Sequence, residues 1–430
     1  MKFLKKQPAG RIIVLGFLAV IFAGSLLLSL PVSRKVDMPY IDCLFTATSA
    51  VCVTGLVVVD PGSSFTLFGQ IVICLLIQIG GLGVASVGAG LIMAVGGRLN
   101  LKGRALIKEG VNFDSGKGVI KFLLQVLKIT FVIEFVGAIL SFCVFIADYP
   151  FFKALWLSIF HSVAAFNNAG FDVLGTGMNL YDYTNNVPMN IITSLLVITG
   201  GIGFLVISDV MKNRFRFKKL RYQSKVVLTV TSVLLVGGTL LLKLTQGHLT
   251  WMSAFFASMS ARTAGFATDP LSTFSNAGLM IMCVLMFIGA SSGSTGGGVK
   301  TGTIFVLFQG IRSAATNRKS KLFKYSIPKN SYYKATVIIV LGLTIVIAAV
   351  ILMSIFEPDL DLADIMFEVV SAFGTAGLST GITGSLSLAS KIMIICIMFI
   401  GRLGPLTIAS LWYFARDERA AYPEGQLLIG

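Results

Sequence analysis

Eight apolar stretches punctuate this 430-residue chain, near residues 12–30, 65–95, 122–147, 189–210, 226–244, 277–310, 336–356 and 388–412. Each is long enough to cross about 30 Å of hydrocarbon, which takes about 20 helical residues. Lipid offers the backbone no hydrogen-bond partners, so such stretches are predicted to be helices that satisfy themselves. Only 13% of residues are charged and 55% are hydrophobic, whereas soluble domains are about a quarter charged. The expected fold is therefore an all-α polytopic membrane protein. The first stretch runs to Leu30 and Pro31 without a small-residue cleavage site, so it is read as a retained membrane helix.

Between the members of each pair lies a shorter amphipathic stretch, near 39–53, 151–168, 250–263 and 362–375. These are too short and too polar to cross alone and are read as re-entrant. Aligned with one another, they run Ser49–Leu56, Ala164–Phe171, Met259–Phe266 and Ser371–Leu378. Each ends on a glycine, preceded by Thr or Ala and followed by Leu or Phe: Thr54-Gly55, Ala169-Gly170, Ala264-Gly265 and Ala376-Gly377. A second glycine follows in each unit at Gly80, Gly200, Gly289 or Gly401. Two landmarks at near-constant separation define four internal repeats, with boundaries 1–95, 96–210, 211–310 and 311–414 and a C-terminal tail 415–430.

Basic residues decide orientation, because Lys and Arg in short loops stay on the cytoplasmic side. Twenty-six of them fall in 1–11, 96–121, 211–225, 311–334 and the segment after 414, against five (Arg34, Lys35, Lys153, Lys243 and Lys391) on the opposite side. Both termini are expected in the cytoplasm. The formal net charge of +16 thus reports topology, not nucleic-acid binding. The outer segments carry twelve acids, among them Asp60 and Asp172, and a vestibule with that sign would concentrate cations.

Four helix–pore loop–helix repeats can surround one axis with pseudo-fourfold symmetry, and that axis would be a central ion pore. Backbone carbonyls at its narrowest ring can replace the hydration shell of a monovalent cation, and glycine lets the chain turn there without a Cβ. The short helices would aim their negative carbonyl poles at the same point. Close helix packing is the competing account of membrane glycines. It suits Gly80, Gly200 and Gly401, which are left out of the site, but not four glycines at matching ends of amphipathic segments. Thr54, Gly55, Ala169, Gly170, Ala264, Gly265, Ala376 and Gly377 are the candidate cation-binding filter, with surface glycines such as Gly62 as the comparison.

Two further features lie at membrane depth. Gly289–Gly298 contains only Gly, Ala, Ser and Thr, five of the ten being glycine, so a regular helix is not expected. Irregular backbone there has to line a cavity. Gly298-Val-Lys-Thr301 lacks the Gly-Lys-Ser/Thr of a nucleotide phosphate loop. Arg402 stands near mid-depth, where a guanidinium needs acceptors; it can bond the carbonyls of the small-residue run, form a positive barrier to ions, or staple two helices. Lys300 is expected to snorkel toward cytoplasmic water, and Arg262 to complement the carbonyl end of its short helix. Lys128 and Glu134, six apart on one span, do not form a helical pair. Six scattered cysteines are read as reduced packing residues, and His161 and His248 sit in no catalytic constellation. No enzyme chemistry is expected.

At these residues the chain resembles the potassium-translocating membrane subunits of the Ktr/Trk/HKT superfamily, specifically the KtrB type. The likeness covers nearly the whole chain and extends to Gln78–Gly83, Thr199–Gly203, Phe287–Ala290 and Phe399–Pro405, which are similar to the family's second helices. The Trk branch usually carries two extra N-terminal helices, whereas here the first span opens the first repeat. The resemblance implies potassium uptake across the cell membrane, with sodium as an activator. All four filter positions are glycine, as in potassium-selective members; sodium-selective relatives often have serine in the first loop. It also implies that Ala290, Ser291, Ser292, Gly293, Ser294, Thr295, Gly296, Gly297 and Gly298 form an intramembrane loop obstructing the pore, with Arg402 in the gate. A homodimer reached by the tail, and a cytosolic KtrA-type nucleotide-binding ring on the basic face, are implied partners. The alternatives are a secondary carrier for an organic solute and a sodium-selective member of the same superfamily.

Overall fold

The computed structural model describes residues 9–94, 118–177, 179–317, 321–322 and 325–410. One order of elements occurs four times: a long helix, a short helix, an extended segment and an interrupted second helix. The long helices are Ala9–Ser29, Val119–Phe145, Tyr222–Thr245 and Lys329–Phe356, and the short ones Tyr40–Cys52, Phe151–Phe166, Trp251–Ser260 and Leu362–Gly374. A hairpin pairing Lys321–Leu322 with Tyr325–Ser326 is the only sheet among the described residues.

Every second helix starts on a polar cap, which fixes where the chain turns back inward. The side chains of Thr66, Asn186, Ser275 and Ser387 accept from the N–H groups of Gly69, Met189, Gly278 and Ser390. None of these second helices is continuous: four described helices, the long ones, are each long and apolar enough to span, a fifth span being added if the bent pair Val187–Ile202 and Phe204–Lys212 is counted as one. Leu67–Leu82 gives way to Val84–Ala94 at Gly83, Val187–Ile202 to Phe204–Lys212 at Gly203, and Leu388–Leu403 to Pro405–Ser410 at Gly404. Those glycines have φ of 83°, 92° and 88°, a left-handed region that side-chain-bearing residues avoid. At Gly203 the two halves meet at 99°. In the third unit the break widens into the stretch between Asn276–Phe287 and Thr301–Thr316.

Packing places the short helices innermost. Phe45, Phe160, Phe256, Phe367 and Phe373 on them are fully buried, while Phe131, Val233 and Ile351 on the long helices are exposed, as lipid-facing apolar side chains are. The last unit closes onto the first through Lys391 Nζ, 2.8 Å from Asp42 Oδ1 with both side chains nearly buried. Cys43, Cys52 and Cys283 pack inside, but Cys143 and Cys396 are exposed, so those two are not packing residues; all six are free thiols. Most of the basic segment 96–121, and the tail 415–430 expected at a dimer interface, lie outside the described residues.

Candidate ion pathway

The chain leaves each short helix by the same backbone route. Val53, Asn168, Thr263 and Thr375 adopt left-handed φ of 55°, 59°, 68° and 50°, and two residues later Gly55, Gly170, Gly265 and Gly377 have φ of 95°, 65°, 78° and 79°. A non-glycine residue in that region costs about 1–2 kcal/mol. Helix-closing hydrogen bonds offset it: Thr54, Ala169 and Ala376 donate to the carbonyls of Ser49, Ala164 and Ser371, each at 2.8 Å, the six-to-one bond of a Schellman turn. The third unit is tighter, with Ala264 donating to Ser260 O at 2.9 Å.

The four glycines meet in chain order and close on themselves. A Cβ built on Gly55 would lie 2.5 Å from Ala169 O, one on Gly170 2.6 Å from Gly265 Cα, one on Gly265 2.9 Å from Ala376 O, and one on Gly377 2.9 Å from Gly55 Cα and against Thr54 O. Thr54, Ala169, Ala264 and Ala376 are fully buried. All eight residues expected to form the filter are thus brought into one ring, where the carbonyl before each glycine abuts a neighbouring unit.

A cavity of about 320 Å³ opens on this ring, lined by Gly55, Gly170, Gly265 and Gly377 together with Asp60, Asp172, Asn179 and Ser379. Of the twelve outer acids only Asp60 and Asp172 line it. Others have structural work: Asp148 accepts from Tyr183 at 2.9 Å, and Glu357 from the Ser387 N–H at 2.7 Å. Burial pushes Asp172 up to about 7, the Asp60 charge adds to the shift, and the Leu174 N–H opposes it. Asp172 is therefore charged above that pH and neutral below. Lowering external pH from 8 to 6 is expected to raise the apparent KM for the transported cation about two- to threefold, and Asp172→Asn to remove that dependence; an unchanged pH profile in the variant would contradict this. Asn179, not singled out from sequence, donates from Nδ2 to Gly170 O at 3.2 Å and accepts from the Ala267 N–H at 3.2 Å. Its φ of 52° is a position asparagine tolerates.

The small-residue run is non-helical from Ile288 to Lys300, as expected; it meets Thr263 and Thr375, before the ring glycines, whereas the cavity is lined by residues after them such as Ala267 and Ser379. The backbone of the run is tied to the second and fourth units. Ser291 N–H donates to Gly201 O at 3.1 Å, Phe204 N–H to Gly293 O at 3.0 Å, Gly298 N–H to Gly401 O at 3.3 Å, and Gly297 N–H to Thr375 Oγ1 at 3.0 Å. A Cβ on Gly296 or Gly297 would run into Thr263 or Thr375, two residues before ring glycines. Arg402 donates from Nη1 to Thr295 O and from Nη2 to Gly80 O, the second bond reaching the first unit. Lys300, expected to reach toward water, instead turns its Nζ back on the loop, donating to Gly296 O at 2.8 Å and Gly297 O at 3.2 Å. Buried Arg262 makes no hydrogen bond through Nε. Gly80, Gly200 and Gly401 pack on the carbonyls of Val51, Phe166 and Phe373, the close-packing role that kept them out of the site. Gly62 is no surface glycine, because a Cβ there would lie 2.6 Å from Gly175 Cα; Gly247, with open space around it, replaces it as the comparison.

The chain matches the family described as TrkH, cation transport protein, over residues 9–229 and 220–414. It is 38% identical to the Ktr system potassium uptake protein B of Bacillus subtilis (strain 168), covering 100% of this chain and 98% of that one. It is 37% identical to the potassium/sodium uptake protein NtpJ of Enterococcus hirae, covering 99% and 98%. The crystal structure of the potassium transporter TrkH from Vibrio parahaemolyticus superposes with a TM-score of 0.74 at 17% identity, covering 95% of this chain and 86% of that one, a likeness of fold. The named relatives are transporters, not enzymes. With family match, full-length relatives and fold in agreement, the chain belongs to the TrkH family of cation transport proteins, on its KtrB-type side.

Proposed function

We propose that the protein takes up potassium across the plasma membrane through the glycine ring, with the loop 288–300 and Arg402 as its gate. The observation that carries this reading is the closure of Gly55, Gly170, Gly265 and Gly377 into one carbonyl-bearing ring at the floor of a cavity. Repeats bounded at 1–95, 96–210, 211–310 and 311–414 then each contribute one quarter of the pathway, and both termini face the cytoplasm. Bacterial relatives named as potassium uptake proteins support the ion, and their designation as parts of a Ktr system supports a regulatory partner. That partner is a KtrA-type nucleotide-binding ring docked on the basic face of a homodimer, with sodium as activator.

Rubidium and sodium uptake into liposomes holding the purified protein, with and without a matching ring subunit, tests the reading. Rubidium flux that sodium stimulates and the ring subunit raises is expected. Sodium flux equal to or above rubidium flux would favour a sodium-transporting member, a result that the relative named for both ions makes worth measuring. Movement of neither ion with the ring subunit present would overturn the proposal. Channel-like flux separates the ring from a secondary carrier, which would alternate its access.

A further inference from the structure

Glu134 is the sixteenth residue of the helix Val119–Phe145, about 22 Å from its start at 1.5 Å per residue and so within the apolar depth. A carboxyl there is costly and marks function by default. It forms no ion pair among the described residues, and Lys128 on the same helix is exposed. Its partners are two amides. Asn167 Nδ2 donates to Glu134 Oε1 at 2.9 Å and to Gln78 Oε1 at 2.9 Å, and Gln78 Nε2 donates to Glu134 Oε2 at 3.2 Å.

Asn167 joins this cluster to the ring. It is fully buried, adjoins Asn168 with its left-handed turn, and stands three residues before Gly170. Gly81 leaves it space: a Cβ there would lie 2.6 Å from Asn167 Cγ. Asn167 Oδ1 has no partner, so the amide is held through its NH2 group alone, whose two hydrogens are shared among Glu134, Gln78 and the Val163 carbonyl. The corresponding positions in the other units are Cys52, Arg262 and Gly374, so the arrangement belongs to one unit only. An outer helix, the second helix of the first unit and the filter loop of the second unit are thereby bonded through one carboxyl.

We infer that Glu134 is a positioning residue for ion selection, fixing the backbone of Asn168, Ala169 and Gly170 through Asn167. The inference rests on the ring being the selectivity filter. Hydrogen bonds at this depth are strengthened by the low dielectric, and their loss lets the carbonyls of Ala169 and Gly170 relax away from the spacing that replaces potassium's hydration shell.

The test is potassium and sodium uptake by the full chain in liposomes with its cytosolic ring, read as KM and maximal rate for each ion. Glu134→Leu is expected to raise the potassium KM about tenfold, leaving the sodium KM within about twofold of wild type. Glu134→Gln keeps an acceptor for Asn167 and should stay within about threefold for both ions, with Gln78→Leu falling between the two. A role in stability alone would lower the maximal rate and leave the ratio of KM values unchanged, and that result overturns the inference. If Glu134→Leu fails to insert, Glu134→Asp decides, since one methylene withdraws the acceptor: a wild-type potassium KM counts against the inference and a selective rise supports it. Gly170→Ser separates the two claims. Unchanged selectivity there sinks the filter reading, whereas altered selectivity there with wild-type ratios in the Glu134 variants sinks this one alone.

Discussion

Gly170→Ser should cost the protein most of its preference for potassium over sodium while leaving it inserted and conducting. Gly170 has φ of 65°, where a side chain costs about 1–2 kcal/mol, and its Cβ would lie 2.6 Å from Gly265 Cα and 2.8 Å from Ala264 O. Backbone cannot rotate out of the way as a flexible side chain can, so the serine is accommodated by displacing carbonyls of two units at once. With tenfold in affinity for every 1.4 kcal/mol, strain of that size lowers the selectivity ratio about 5- to 30-fold. Gly377→Ser, whose Cβ would strike Thr54 O and approach Gly55 Cα at 2.9 Å, should do the same from the opposite junction. Gly247→Ser, with nothing within 4 Å, should change nothing. The measurement is the ratio of rubidium to sodium uptake at matched protein density. Wild-type ratios at both ring positions would remove the ring from ion selection.

The ring was legible in the sequence because glycine is the residue that permits its backbone, and four glycines at matching positions repeat that requirement visibly. The left-handed turn two residues earlier was not. Val53, Asn168, Thr263 and Thr375 are not of one residue type, and three of them are β-branched, with a local preference that opposes the conformation; the closing bonds of the helix impose it. The same reasoning explains the helix breaks. Gly80, Gly200 and Gly401 drew attention by their spacing, yet the turns fall at Gly83, Gly203 and Gly404, because the former glycines are needed where helix backbones touch carbonyls. Asn179 and the Glu134–Gln78–Asn167 cluster draw on contacts across units. Gln78 and Asn167 are 89 positions apart, and one sequence carries no mark of such pairs. Arg402 is legible from its depth, since a guanidinium among apolar residues has to meet acceptors, and its place in the gate from the family resemblance.

Arg402→Ala should raise basal flux about 10- to 100-fold in the absence of the cytosolic ring, leaving the preference for potassium over sodium close to wild type. The guanidinium holds Thr295 O of the loop and Gly80 O of the first unit. A hydrogen bond to a charged group contributes about 1.5–3 kcal/mol, and losing one or two such bonds from the closed state shifts its balance with an open one by that factor. Lys300 and the backbone bonds to Gly200, Gly201 and Gly401 remain, so the loop loosens without losing its place, and the ring glycines are untouched. Two accounts of Arg402 then part. If it repels ions as a positive barrier, Arg402→Lys keeps the charge and keeps the pore closed. If it ties the loop to the first unit, lysine lacks the fork that reaches two carbonyls on different units, and Arg402→Lys leaks nearly as much as alanine. The geometry favours the tether, because both bonds end on backbone oxygens. Deleting two glycines from Gly296–Gly298 should leak in the same way. Equal basal flux in wild type, the shortened loop and Arg402→Ala, at equal protein density, would show that this segment is no gate.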